Sequence, residues 1–264
     1  MSSFQAGLPE QDDQTRAAFR RLVLALADSK RLLGIRYSDW LLGAPSIEAG
    51  IAASSMAQDE WGHARLLYAS LKDFGEDPLQ VEHERSPEAY ACMDALDQEF
   101  QDWARVTAGI VLVDGALSVA LEGLRDGGYD PIEGRVGKML AEEEFHGSLG
   151  EAWFRRRAGG SEEARTRLRE AVEAMLPSVL CCLAPGDEAQ ERLAQAGLHP
   201  SAEALRESMA ARLDPLLELL DMSVPREAPP LDDWDQARGR GPGHPAEEAV
   251  ERARGDRNRA LFVE

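Results

Sequence analysis

Glu60-Trp61-Gly62-His63, in the first third of the chain, and Glu143-Glu144-Phe145-His146, near its middle, decide how the rest is read. Each is a Glu-x-x-His, and each lies inside a stretch with helical periodicity. Residues three apart on a helix share a face, one turn above the other. A carboxylate and an imidazole are therefore presented side by side, twice. Two such helices facing each other place two Glu and two His around one point. That is half of a dinuclear metal site of the kind built inside four-helix bundles, where the other two helices each add a carboxylate.

Working outward, the second helix should run from Ile47 to about Phe74. Gly43-Ala44-Pro45 stands before it, Ser46 is its N-cap and Glu48 lies in its first turn, where the helix dipole favours negative charge. Its core stripe is Ala49, Ala53, Met56, Glu60, His63 and Leu67. The first helix spans about Asp12 to Leu42 on the repeat of Phe19, Val23, Leu26, Leu33 and Leu41, and Gly34 inside it marks close packing or a kink. A third helix is expected from Ala95 to Gly123. A fourth follows from Pro131 to about Arg157, opened by Asp130-Pro131-Ile132-Glu133, with Asp as N-cap, Pro in the first turn and Glu closing a capping box. The fourth helix buries Val136, Met139, Glu143, His146, Gly150 and Trp153. Ser161 caps a fifth helix containing Pro177, and shorter helices follow at 187–196 and 201–221. From Arg226 to Pro245 the composition turns to Pro, Gly, Arg and Asp, which predicts an extended, partly disordered tail with a weak last helix at Ala246–Arg254. No stretch reads as a strand. The expectation is an all-α four-helix bundle with additional C-terminal helices over residues 1–224, and a tail over 225–264.

The chain has 264 residues, enough for one large helical domain or two small ones. Its 48 Asp and Glu outnumber 29 Lys and Arg, for a formal net charge of -19. A surface this acidic repels phosphate backbones and anionic lipid heads, so neither nucleic acid nor a membrane surface is expected as a partner. No unbroken apolar stretch reads as long enough to span a bilayer, and the first residues are polar and acidic rather than signal-like. The three cysteines (Cys92, Cys181 and Cys182) have no framework spacing, which points to a reducing, cytoplasmic setting and small packing residues. His83, His199 and His244 have no partner at ligand spacing and are read as surface residues.

Asp114 is the third clue. It lies in the most apolar helix, on the face of Ile110, Val111, Leu117 and Leu121. An ionised carboxylate out of water costs several kcal/mol unless a cation or strong hydrogen bonds compensate it. A metal shared with Glu60, His63, Glu143 and His146 would do so. The alternative is a core acid bonded to a hydroxyl or an arginine. On the first helix the available acids are Asp28 and Asp39, and Asp28, between Leu24 and Leu32, is the inward one. A single Glu-x-x-His is ordinarily a solvated i,i+3 pair; two of them in separate helices, with a buried-pattern Asp between, are not. Carboxylate-rich sites with one imidazole per metal suit iron or manganese. Two irons would pass electrons together to O2 and one oxygen atom to a substrate.

The blocks Gln58-Asp59-Glu60-Trp61-Gly62-His63, Leu112-Val113-Asp114-Gly115-Ala116 and Glu142-Glu143-Glu144-Phe145-His146 resemble the catalytic subunit of the phenylacetyl-coenzyme A epoxidase family, bacterial multicomponent di-iron oxygenases with a ferritin-like fold. The similarity covers about residues 15–225. It implies Glu60, His63, Asp114, Glu143 and His146 as ligands, with Glu60 and Glu143 the candidate catalytic carboxylates. The first helix departs: Leu26-Ala27-Asp28-Ser29 and Ser38-Asp39-Trp40 are closer to the structural sister subunit, and Lys30 and Arg31 stand where the catalytic family carries a Glu.

These observations predict a di-iron monooxygenase subunit that epoxidises or hydroxylates an organic substrate such as an aromatic acyl-coenzyme A. Its metal ligands would be Asp28, Glu60, His63, Asp114, Glu143 and His146, holding two iron ions or a Mn/Fe pair, with O2 as co-substrate. A separate reductase is expected, since no flavin, nicotinamide or iron–sulfur motif is present, together with a homologous subunit or a homo-oligomer. The acidic balance requires a local basic cluster for any coenzyme A ester; Arg155-Arg156-Arg157 and Arg20-Arg21 are the candidates. The competing readings are a ferritin-like metal oxidase or storage protein, and a non-catalytic structural subunit.

Overall fold

The computed structural model describes residues 11–125, 127 and 130–256, with the side chains of 130–133 left out of that description. The capping box expected at Asp130-Pro131-Ile132-Glu133 therefore lies outside the described side chains. The fold is all-α, of the ferritin-like class expected from the sequence, and no named strand occurs among the described residues. Its helices are α1 (Asp13–Ser38), α2 (Ile47–Ser70), α3 (Pro78–His83), α4 (Trp103–Arg125), α5 (Asp130–Ala158), α6 (Glu162–Leu183), α7 (Glu188–Gln195), α8 (Ala202–Leu217) and α9 (Glu247–Arg254). They fall into two compact units: residues 11–20 with 104–232, and residues 21–103 with 233–256.

In the first unit α4 packs along α5, α6 and α8. By length and composition Trp103–Arg125 is apolar enough to cross a membrane, contrary to the expectation from sequence; 94% of its most apolar window is buried, as in a core helix. Within α4 the segment Gly109–Asp114 is wound as a π-helix. Such wide turns insert a residue and re-aim the side chains that follow, and they are common at functional sites. Here the wide turn ends on Asp114. Ser161 caps α6 as expected, accepting from Ala164 N at 3.3 Å, and α6 carries Pro177 inside it.

His199, read from sequence as a surface residue, is instead buried beside α4. Its Nε2 donates to Ala120 O at 3.0 Å, and Nδ1 has no partner among the described residues. Burial lowers its pKa to about 4 from 6.5, and the bond to Ala120 only partly opposes this. The neutral ring is the form the fold accepts, so this stability is complete above pH 6.5 and is lost as pH falls toward 4. The predicted loss is about 3 kcal/mol. Denaturant unfolding of wild type and His199→Gln between pH 7 and pH 4 checks it: the variant should lose that much less over the interval, and parallel curves would refute it.

In the second unit, Ser46 caps α2, accepting from Ala49 N at 3.2 Å, and the whole stripe Ala49, Ala53, Met56, Glu60, His63 and Leu67 is buried. Gly34 marks close packing: a Cβ there would collide with the Trp61 indole of α2. The third helix, expected from Ala95, begins only at Trp103. Residues 94–97 are engaged elsewhere. Arg36 donates to Leu96 O at 2.8 Å and to Asp97 O at 3.2 Å, while Asp94 and Asp97 both hold Arg240. Tertiary partners take the carbonyls and carboxylates that a helix or its first turn would use.

Residues 233–256 pack as part of this unit. Arg240 is fully buried, with Nη2 2.9 Å from Asp94 Oδ1 and 2.5 Å from Asp97 Oδ2. The backbone of Gly241 donates to Asp94 Oδ2 at 3.1 Å. Arg31 donates to Ala253 O in α9, and Arg254 Nη1 donates to Arg85 O at 3.0 Å.

Candidate metal centre

Each unit carries one Glu-x-x-His. In the first unit, α5 presents Glu143 and His146 one turn apart, and α4 presents Asp114. All three are buried, at 2% exposure or less. His146 Nδ1 lies 3.1 Å from Asp114 Oδ2 and 3.8 Å from Glu143 Oε2. One ligand atom from each of the three lies within 4.8 Å of the others. Ser118, one turn beyond Asp114, sits 3.0 Å from Asp114 O and 3.2 Å from Glu143 Oε2, so its single proton is shared between that carbonyl and the Glu143 carboxylate.

Two buried carboxylates and one imidazole leave excess negative charge in a low-dielectric place. That is unfavourable without a cation. Two carboxylate oxygens and a ring nitrogen converging at this range are a donor set that could hold a divalent metal ion. The residues of this unit fit such an ion.

The second unit holds Glu60 and His63 on α2, both buried, at 0% and 2% exposure. Here a cation is already built into the protein. The ammonium of Lys30, on α1, donates to Glu60 Oε1 at 3.0 Å, and both side chains are completely buried. In the four-helix template the first helix adds a carboxylate; in this protein it adds an ammonium. Lys30 thus holds one of the two Glu60 carboxylate oxygens and supplies one positive charge there.

Asp28, expected as the first-helix ligand, is inward and buried but answers a different demand. Its Oδ1 accepts from Tyr68 Oη at 2.6 Å and from Arg85 Nη2. Its Oδ2 accepts from Arg85 Nη1 at 2.9 Å and from Ala91 N at 2.8 Å. All its acceptor positions are engaged, which removes Asp28 from the ligand set. Arg85 in turn stacks on Tyr90, 4.6 Å from the ring centroid. Burial, and then the Asp28 charge, push the Tyr68 phenol well above its ordinary pKa, which keeps it a donor. The sequence shows Lys30 and Ser118 without assigning either a role.

Fold and cluster together define a ferritin-like, all-α protein with a carboxylate–imidazole site of the kind that takes a metal ion. The profile of the phenylacetic acid catabolic proteins matches residues 1–251. The chain belongs to that family. It is similar to one of the subunits of the 1,2-phenylacetyl-CoA epoxidase of Escherichia coli (strain K12), with 24% identity over 191 residues, 71% of this chain. It spans 62% of that relative's length.

Proposed function

We propose that this protein is a metal-dependent oxygenase subunit of the phenylacetyl-coenzyme A epoxidase type, acting on an organic acid or its thioester. The observation that carries the reading is the buried Asp114–Glu143–His146 cluster. When bound there, an iron or manganese ion would supply O2 activation. The protein's share is to hold and shield it. Asp114 and Glu143 supply anionic oxygens, His146 a ring nitrogen, Ser118 shares its proton with Glu143, and the apolar α4 excludes water. In the second unit, Lys30 supplies one positive charge beside Glu60. The relative is named as one subunit of its enzyme. We extend this to a companion subunit here, with a separate reductase as electron source.

A second reading is favoured by the Lys30–Glu60 pair: a partner subunit in which the internal ammonium replaces the metal chemistry. Metal analysis of protein expressed with iron separates the two. The first predicts about one ion per chain, a melting temperature that drops on chelation, and loss of the ion in Glu143→Ala. Under half an ion per chain, with stability unmoved by chelator, would establish the partner subunit instead.

A further inference from the structure

We infer that Arg212 of α8 is the recognition group for a substrate anion, standing over the acid–imidazole cluster of the first unit. The inference rests on the oxygenase reading for the chemistry behind it. A small cavity of about 20 Å³ is lined by three carboxylates, Asp114, Glu143 and Glu151, with Ser118, and its apolar walls include Ile110 and Leu213. Among its lining residues Arg212 is the cation.

Arg212 has a prepared seat. The residue after Asp114 is Gly115 and the residue after His146 is Gly147. A Cβ on Gly147 would stand 3.1 Å from Arg212 Nη2, and one on Gly115 would stand 3.6 Å from Arg212 Nε. The guanidinium thus lies across α4 and α5 where both helices lack side chains, each time beside a cluster residue. Its acidic partner holds it loosely: Glu122 Oε1 is 3.8 Å away, on a side chain that is 46% exposed, and Arg212 itself is 31% exposed. Such a pair yields readily to a better-placed acceptor.

The charge balance gives this residue its meaning. A protein at -19 repels anions, so an acidic substrate needs a local cation. Neither Arg155-Arg156-Arg157 nor Arg20-Arg21 lines the cavity. A guanidinium meets a carboxylate or a phosphate through two parallel hydrogen bonds. The cavity as it stands holds about one water, so an organic molecule enters only as Arg212 lifts from its glycine seat. An anion drawing the guanidinium outward opens the way for the apolar body to follow. The ligand class is an organic anion with a short apolar body, its charge supplied by a free carboxylate or by the phosphates of a coenzyme A ester.

Calorimetric titration of the full chain tests this, with phenylacetate, neutral phenylacetamide and phenylacetyl-coenzyme A as probes against wild type, Arg212→Ala and Arg212→Lys. The expected result is saturable binding of phenylacetate or the thioester to wild type, weakened at least about tenfold in Arg212→Ala. Phenylacetamide should bind both proteins alike. Which of the two anions shows the loss identifies carboxylate or phosphate as the recognised group. Arg212→Lys keeps the charge but not the two parallel hydrogen bonds, and it should weaken the same probe; this covers a failure of Arg212→Ala to fold. Equal affinity in wild type and either variant, or no saturable binding of any anion to folded wild type, would overturn the proposal. Metal content measured on the same samples reports separately on the metal site, so an empty site with intact Arg212-dependent binding would sink the oxygenase reading alone.

Discussion

Lys30→Met should destabilise the protein by about 3–5 kcal/mol, the cost of leaving one partner of a buried ion pair uncompensated. The pair is fully buried on both sides, with 3.0 Å between Lys30 Nζ and Glu60 Oε1, so water cannot relieve the stranded carboxylate. Guanidinium unfolding at neutral pH reads this as a lower midpoint at constant slope. Adding Glu60→Leu to the same variant should recover most of the loss, because an apolar pair carries no desolvation penalty. Adding ferrous or manganous ion to Lys30→Met, with Glu60 intact, should also recover stability, since the vacated place then suits a metal ion. A cost below about 1 kcal/mol for the single change would show that Lys30 is no counter-charge.

The second large effect belongs to Asp28. Asp28→Ala strands three donors at once: the guanidinium of Arg85, the Tyr68 hydroxyl and the Ala91 amide. The expected loss is again about 3–5 kcal/mol, eased to the extent that Arg85, 16% exposed, can turn to water. The metal content of the surviving folded protein should not change. A ligand role for Asp28 predicts the reverse, lost metal at modest cost in stability, so measuring both quantities on one preparation decides between them.

Much of this is legible in the sequence because burial follows helical period. The α2 stripe is correct at every position, Glu60 and His63 included. On α5 the stripe holds through Gly150 and then slips by one residue: Trp153 is only half-buried while Phe154 is fully enclosed. Period reports that a side chain points inward but not what it meets there. It places Asp28 inside the protein and leaves its partner unidentified, since the guanidinium comes from Arg85, far along the chain. Lys30 illustrates the same limit, for nothing local distinguishes a buried lysine from a solvated one. The tail misleads through composition. Its Pro, Gly and Arg suggest a solvated length of chain, yet Arg240 is sealed between Asp94 and Asp97. Pairings of that range are invisible to any window of neighbouring residues.

The second unit is assembled from two separated stretches, with residues 104–232 threaded between them. During synthesis α1 and α2 leave the ribosome early, but the arginine that Asp94 and Asp97 enclose, and the α9 carbonyl that Arg31 grips, are made more than a hundred residues later. Nascent protein must therefore carry a half-closed acidic ledge until Arg240 is made. A nonsense change shortly after Asp232 would remove only the last stretch of sequence and still leave that ledge without its clasp.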